Sequence, residues 1–302
     1  MAKALNIAVI LKGSTSQIWK WIQAGATQAV RDLQGRGISV DLQWKSPLRQ
    51  DDSEEQAKIF ENYLRQSVDG VVLAPCDDRT LVTCVEGAAG SGIPTVVIDS
   101  ALDTTKIVSF IATDNKKGGA LAAKRLAELL HNGGKVLLLR HKKGAANTEA
   151  REQGFAEKMR SCPGFEVIAS EEYAGGTRDS AKRAAEVELR RYGSDLKGIF
   201  TPNESSTAGM VMAILGCQLA GKIAHVGFDT SDIYLDSLRR KQILGLVVQN
   251  PFLMGKLAVE TIVDHLSGKT VPKRIDTGVT MVTPDNIDAP EIKLLVSPPF
   301  AR

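Results

Sequence analysis

The chain contains no run of 18 apolar residues, so its sequence offers no membrane-spanning helix. It has four cysteines, Cys76, Cys84, Cys162 and Cys217, in no CxxC pairing, which reads as small buried or half-buried thiols rather than a disulfide or metal site. The four histidines, His131, His141, His225 and His265, stand apart without metal-ligand spacing. Neither metal nor cofactor is expected. Charge of one sign is also missing: 38 basic residues against 35 acidic ones leave +3, too even for a nucleic-acid or polyanion binder. The first apolar run is followed by KGSTSQ rather than GxGxxG, and GGKV (Gly133–Val136) lacks the glycine spacing and Ser/Thr of a P-loop. There is no GxSxG elbow. These absences argue against dinucleotide-dependent, phosphate-handling and hydrolytic enzymes. The opening MAKALN enters a strand at about Leu5 without room for a signal peptide's apolar core, so the expectation is a cytoplasmic protein or an exported one seen without its leader.

What is present is ordinary in amount and unusual in arrangement. Hydrophobic residues make up 43% and charged residues 24% of 302, enough for one large domain or two ordinary ones. At least five apolar runs end on a polar side chain and then open into a helix-like segment: IAVILKGS (Ile7–Ser14), TVVIDS (Thr95–Ser100), GIFTPNES (Gly198–Ser205), AHVGFDTS (Ala224–Ser231) and LGLVVQN (Leu244–Asn250). In open α/β sheets, ligands bind just outside the carboxyl ends of the strands. Placing Lys, Asp, Asn, Asp and Gln there builds a polar pocket for a small molecule.

Continuous Val/Ile/Leu runs are what parallel strands covered on both faces require. Strands are expected at Asn6–Leu11, Ser39–Gln43, Gly70–Ala74, Thr95–Asp99, Ile107–Ala112, Lys135–Leu139, Glu166–Ser170, Gly198–Thr201, His225–Phe228 and Leu246–Val248, with helices near 17–34, 53–67, 78–91, 115–131, 147–160, 178–192, 205–220, 232–241 and 252–267. The pattern repeats: 16 positions separate Val9 from Gly25 and Leu138 from Gly154, and DGVVLAPCDD matches KGIFTPNES. The expected fold class is α/β, with two similar doubly wound parallel-sheet lobes joined by a three-crossing hinge. The expected lobes are 1–112 plus 252–279 and 113–251 plus 280–302.

The order and spacing of KGSTSQIWKWIQAGA (Lys12–Ala26), DGVVLAP, GIPTVVIDS, ATDNKKGG, TEAREQGF (Thr148–Phe155), TPNES, VGFD and VVQNPF resemble the periplasmic sugar-binding proteins of the ribose-binding type over essentially the full length. The resemblance implies a type I periplasmic-binding fold and an interlobe cleft that captures a monosaccharide or sugar-like polyol. It also implies delivery to a membrane-embedded ABC permease, no chemistry of its own, a monomer, and a periplasmic or lipid-anchored extracellular location.

Candidate ligand residues follow. Lys12 ends the first strand and can donate to ligand hydroxyls or pair with Asp99, while the next loop offers Ser14, Thr15 and Ser16. Trp19 matches the aromatic residue that the family packs over the sugar face, against the alternative of a core tryptophan; Trp21 and Trp44 read as packing residues. Asp99 and Asp229 end equivalent strands, and a carboxylate can accept two hydroxyl protons. Ser100 stands where the ribose binder has an arginine, which leaves the sugar's identity open. Arg151, Asn203 and Gln249 match ligand positions of the family, and Asp114 and Asn115 its helix-capping hinge residues. Tyr173 matches the second-lobe aromatic only loosely. Alanine at Asp99 or Asp229 is expected to abolish ligand-induced stabilisation while leaving the unliganded melting temperature nearly unchanged.

Two other readings compete. A lactose-repressor-type regulator shares the two-lobe fold but carries a DNA-binding headpiece of roughly 60 residues before the first strand. A sugar-modifying enzyme would show turnover of the bound sugar.

Overall fold

The computed structural model describes residues 4–14, 16–49 and 52–297, so Thr15 lies outside the described residues. The chain forms two compact units. The first runs to Thr113 and resumes over Asn250–Thr277; the second comprises Asp114–Gln249 and Gly278–Ser297.

In the first unit the strands are β1 (Leu5–Ile10), β2 (Val40–Lys45), β3 (Gly70–Leu73), β4 (Thr95–Ile98), β5 (Ser109–Ala112) and β11 (Arg274–Asp276), in the order β11-β5-β4-β3-β1-β2. Every pair is parallel. The helices are α1 (Gln17–Gly35), α2 (Ser53–Arg65), α3 (Val82–Gly90) and α9 (Pro251–Leu266). Side chains alternate between strand faces. Ile7 and Val9 therefore enter the core beneath α1 and α9, whereas Ala8 and Ile10 enter the one formed with α2 and α3. Both faces being covered, β1 has to read as an unbroken apolar run.

The second unit repeats the plan with β6 (Gly134–Leu138), β7 (Phe165–Ala169), β8 (Leu196–Phe200), β9 (Ala224–Phe228), β10 (Gly245–Gln249) and β12 (Val279–Val282), in the order β12-β10-β9-β8-β6-β7. β12 runs antiparallel to β10, and the remaining pairs are parallel. The helices are α4 (Asn115–Leu129), α5 (Ala146–Arg160), α6 (Arg178–Tyr192), α7 (Glu204–Gly216), α8 (Asp232–Arg239) and α10 (Pro290–Val296). The ten strands and nine helices expected from periodicity all have counterparts here. The sequence reading lacks β11, β12 and α10: β11 is three residues long with two exposed, too short and too polar to show a period.

Paired glycines set the helix crossings. A Cβ on Gly25 would stand 1.8 Å from the Phe252 carbonyl oxygen, and one on Gly255 would stand 2.0 Å from that of Ile22, so α1 and α9 meet backbone to backbone. In the second unit, a Cβ on Gly119 would lie 1.8 Å from the Arg151 carbonyl oxygen and one on Gly154 would lie 2.0 Å from that of Lys116. The α4–α5 crossing therefore fixes the depth at which α5 holds Arg151. Gly154→Ala is expected to force the helices apart and cost about 1–3 kcal/mol. Urea unfolding checks this, and an unchanged midpoint would contradict it.

Candidate functional site

In the first unit, Lys12 follows β1 and Asp99 follows β4. Two strand spacings separate them in the sheet, about 10 Å, and the lysine stem bridges that gap across the end of β3. Its Nζ lies 2.6 Å from Asp99 Oδ2 and donates to Ser100 Oγ at 2.5 Å; Ser100 Oγ donates to the same carboxylate oxygen at 3.2 Å. The side chains of Lys12 and Asp99 are 12% and 4% exposed. Asp99 adopts a left-handed backbone, φ 63°, as its amide N–H closes onto the Ile111 carbonyl at the end of β5. Aspartate tolerates this conformation better than most side chains do. Asp99 Oδ1 accepts no hydrogen bond from the described residues.

Ser14 is exposed in the loop after Lys12. Trp19 is 4% exposed and packs in the core with Ile22, Ala26, Ala29 and Leu33. Those spacings of three, four, three and four mark the inward stripe of a helix, and the stripe carries the indole into the core. Trp19 also lines a concavity together with Ser14 and Trp44, so core packing and an accessible ring edge coexist.

In the second unit, Arg151 projects from α5 and is 1% exposed. Its Nε donates to Asn115 Oδ1 at 2.8 Å and its Nη1 to the Pro202 carbonyl at 2.9 Å, with Asp229 Oδ2 3.9 Å from Nη1. Its guanidinium carbon sits 3.7 Å from the centroid of the Phe228 ring, a cation–π contact. Asp229 repeats the geometry of Asp99: φ is 67°, and its N–H closes onto the Val247 carbonyl of β10. Asp229 Oδ1 accepts from Gln249 Nε2 at 2.7 Å. Gln249, the last residue of β10, is 3% exposed.

Asn203 is the N-cap of α7: its Oδ1 accepts from the Ser206 amide and hydroxyl, and its Nδ2 donates to Ser205 Oγ. Asp114 caps α4 through the Lys117 amide. Tyr173 is 40% exposed and stacks beneath Arg140.

Sequence reasoning missed the polar chain beneath these residues. Thr207 Oγ1 contacts the Asn203 and Phe228 carbonyls, accepts from the Phe228 amide, and lies 3.0 Å from Thr201 Oγ1, which is 2.9 Å from His225 Nε2. The chain ties the loop carrying Asn203 to the strand end carrying Asp229. Burial pushes the His225 imidazole down to about 3. The folded state therefore refuses a proton that the unfolded chain accepts below about 6.5, and stability is lost as pH drops from about 6.5 toward about 3. A threonine inside an apolar helix was the available signal.

Two strand-end clusters thus pair one cation with one left-handed aspartate each, the arrangement of a two-unit α/β binding protein. The periplasmic binding protein domain family matches residues 7–270, and the chain belongs to that family. It is 34% identical over 241 residues to the ribose import binding protein RbsB of Bacillus subtilis, covering 78% of this chain and 75% of that one. It is 28% identical over 278 residues to the D-allose-binding periplasmic protein of Escherichia coli, covering 89% and 87%. An ABC transporter solute binding protein from Agrobacterium vitis, solved with bound D-fucose, matches with a TM-score of 0.89 and 32% identity, covering 96% of this chain and 99% of that one.

The geometry corrects the expected tolerance of Asp99→Ala. That change strands the Lys12 ammonium and puts alanine in a left-handed backbone, so the unliganded protein should lose about 2 kcal/mol or more. Asp99→Asn keeps the turn and should lose less. Calorimetry checks the order, and an alanine variant that melts with the wild type would refute it.

Glu152 is 9% exposed on α5 and accepts from the His141 amide at 2.9 Å. Burial pushes its carboxyl up to about 7, against the pull of that amide. Here the folded state holds a proton that the unfolded chain has released above about 4.5, so stability falls as pH rises toward 7 and the deficit persists above it. Glu152→Gln should raise the unfolding free energy measured in urea at pH 8 by on the order of 1–3 kcal/mol and change it little at pH 5. Equal effects at both pH values would contradict this origin.

Proposed function

We propose that the protein is a solute-binding protein that captures a monosaccharide or sugar-like polyol and delivers it to a membrane-embedded ABC permease. Lys12, Ser14, Trp19, Asp99 and Ser100 of the first unit, with Arg151, Asn203, Asp229 and Gln249 of the second, supply the groups for one ligand. The three chain passages, Thr113–Asp114, Gln249–Asn250 and Thr277–Gly278, serve as the hinge. It acts as a monomer outside the cytoplasmic membrane, either in the periplasm or on a lipid anchor, and has no chemistry of its own.

The observation that carries this reading is the matched pair of clusters. Each holds one cation against one carboxylate, so neither presents net charge, while donors and acceptors stand side by side. A neutral polyhydroxylated molecule satisfies such a surface; a charged one leaves a group unmatched. Each hydrogen bond contributes about 0.5–1.5 kcal/mol net, whereas one left unmade in a dry site costs about 1–3. One misplaced hydroxyl therefore reduces affinity by roughly tenfold or more. The sugar ligands named for the relatives, ribose, D-allose and D-fucose, support this class.

The test is thermal denaturation against pentoses, hexoses, polyols and furanosyl signalling sugars. A ligand at 100 times its Kd stabilises by about 2.7 kcal/mol. At least one sugar should raise the melting temperature, and Asp99→Asn and Asp229→Asn should each remove most of the shift. No response to any sugar would sink the reading; full response in either variant would sink the site assignment.

A further inference from the structure

The first unit carries a concavity of about 470 Å3 whose walls include Ser14, Trp19, Gln23, Trp44, Ser46 and Glu55. Its size falls within the roughly 300–1,000 Å3 of small-molecule sites. Its place in the sheet gives it meaning. β2 is the edge strand at one end of the order β11-β5-β4-β3-β1-β2, and Trp44 lies opposite Val9 near the end of β2. The chain leaves this unit after β5 and after β11, both at the other end. Lys12 and Asp99 stand between, at the ends of β1 and β4. The concavity thus adjoins the proposed sugar residues, sharing Ser14 and Trp19 with them, on the side remote from the chain passages.

We infer that this concavity is a subsite for a second sugar ring, joined by a glycosidic bond to the one held by Lys12 and Asp99. The inference rests on the sugar-binding reading above. Sugar rings present apolar C–H faces and a girdle of hydroxyls, and indole rings flanked by hydrogen-bonding groups suit both. Trp44 is half-buried and braced against the core, so its ring is held without further ordering. Ser14, Ser46 and Gln23 donate and accept, and the Glu55 carboxylate accepts only. Lys20 and Lys45 also line the wall, so a ring bearing a carboxylate is the natural control. The ligand class then extends from monosaccharides to disaccharides that project toward β2.

The test is isothermal titration of the full chain with D-xylose, D-glucose and D-galactose, the neutral disaccharides xylobiose, cellobiose, lactose and melibiose, and cellobiouronic acid. At least one neutral disaccharide should bind as tightly as its monosaccharide or tighter. Trp44→Ala should weaken that disaccharide tenfold or more and leave the monosaccharide within twofold. Because Trp44 also packs, Ser46→Trp provides a second route: it fills the concavity from a loop and should exclude the disaccharide alone. The inference is overturned if monosaccharides bind and every neutral disaccharide is rejected, if both variants bind disaccharide as the wild type does, or if only the uronic acid is favoured. Rejection of all sugars, mono- and disaccharide alike, instead removes the sugar-binding reading, and this inference with it.

Discussion

Both clusters depend on the pairing of a strand-end aspartate's amide with the neighbouring strand. The Asp99 N–H closes onto Ile111 and the Asp229 N–H onto Val247. Each bond holds the residue at a φ above 60°, and the carboxylate leaves the sheet in one fixed direction. A cation from another element must meet it there. Lys12 does so from β1 across β3, and Arg151 from α5. The two units reach the same electrostatic result with different cations because one uses a strand end and the other a helix face. An ammonium on a flexible stem spans the gap in the first; a planar guanidinium, pinned by Asn115 and stacked on Phe228, serves in the second.

The glycine crossings give that arrangement its precision. With carbonyls packed where side chains would otherwise stand, α5 cannot slide against α4 without a backbone clash, so Arg151 is placed by the same helix crossing that brings it to Asn115. The same device joins α1 to α9, although there the partner helix comes from a distant part of the chain. A repeat in local spacing therefore reflects a repeat in packing, produced by two different connectivities.

Much of this was legible in the sequence, and the reasons differ by residue. Strands covered on both faces leave continuous apolar runs, and polar residues that end such runs mark the ligand edge, so Lys12, Asp99, Asp229 and Gln249 stood out. Trp19 was read through family likeness, and the stripe it shares with Ile22, Ala26, Ala29 and Leu33 shows that its indole is also part of the core. Asn203 was read as a ligand residue, yet three polar residues after a proline also spell a helix cap, and the cap engages its oxygen. The Thr201–Thr207–His225 chain was invisible because its members lie just after β8, on α7 and on β9, whose adjacency only the sheet order supplies. β11 was lost for want of length.

Burial of Glu152 and of His225 has a joint consequence. Between pH about 4.5 and about 6.5 the unfolded chain carries its proton on the imidazole, whereas the folded chain carries it on the carboxyl. Each form holds one proton across the pair. Within that window a change of pH therefore finds no net handle on these two interior sites, and the protein trades one titration against another in its own interior.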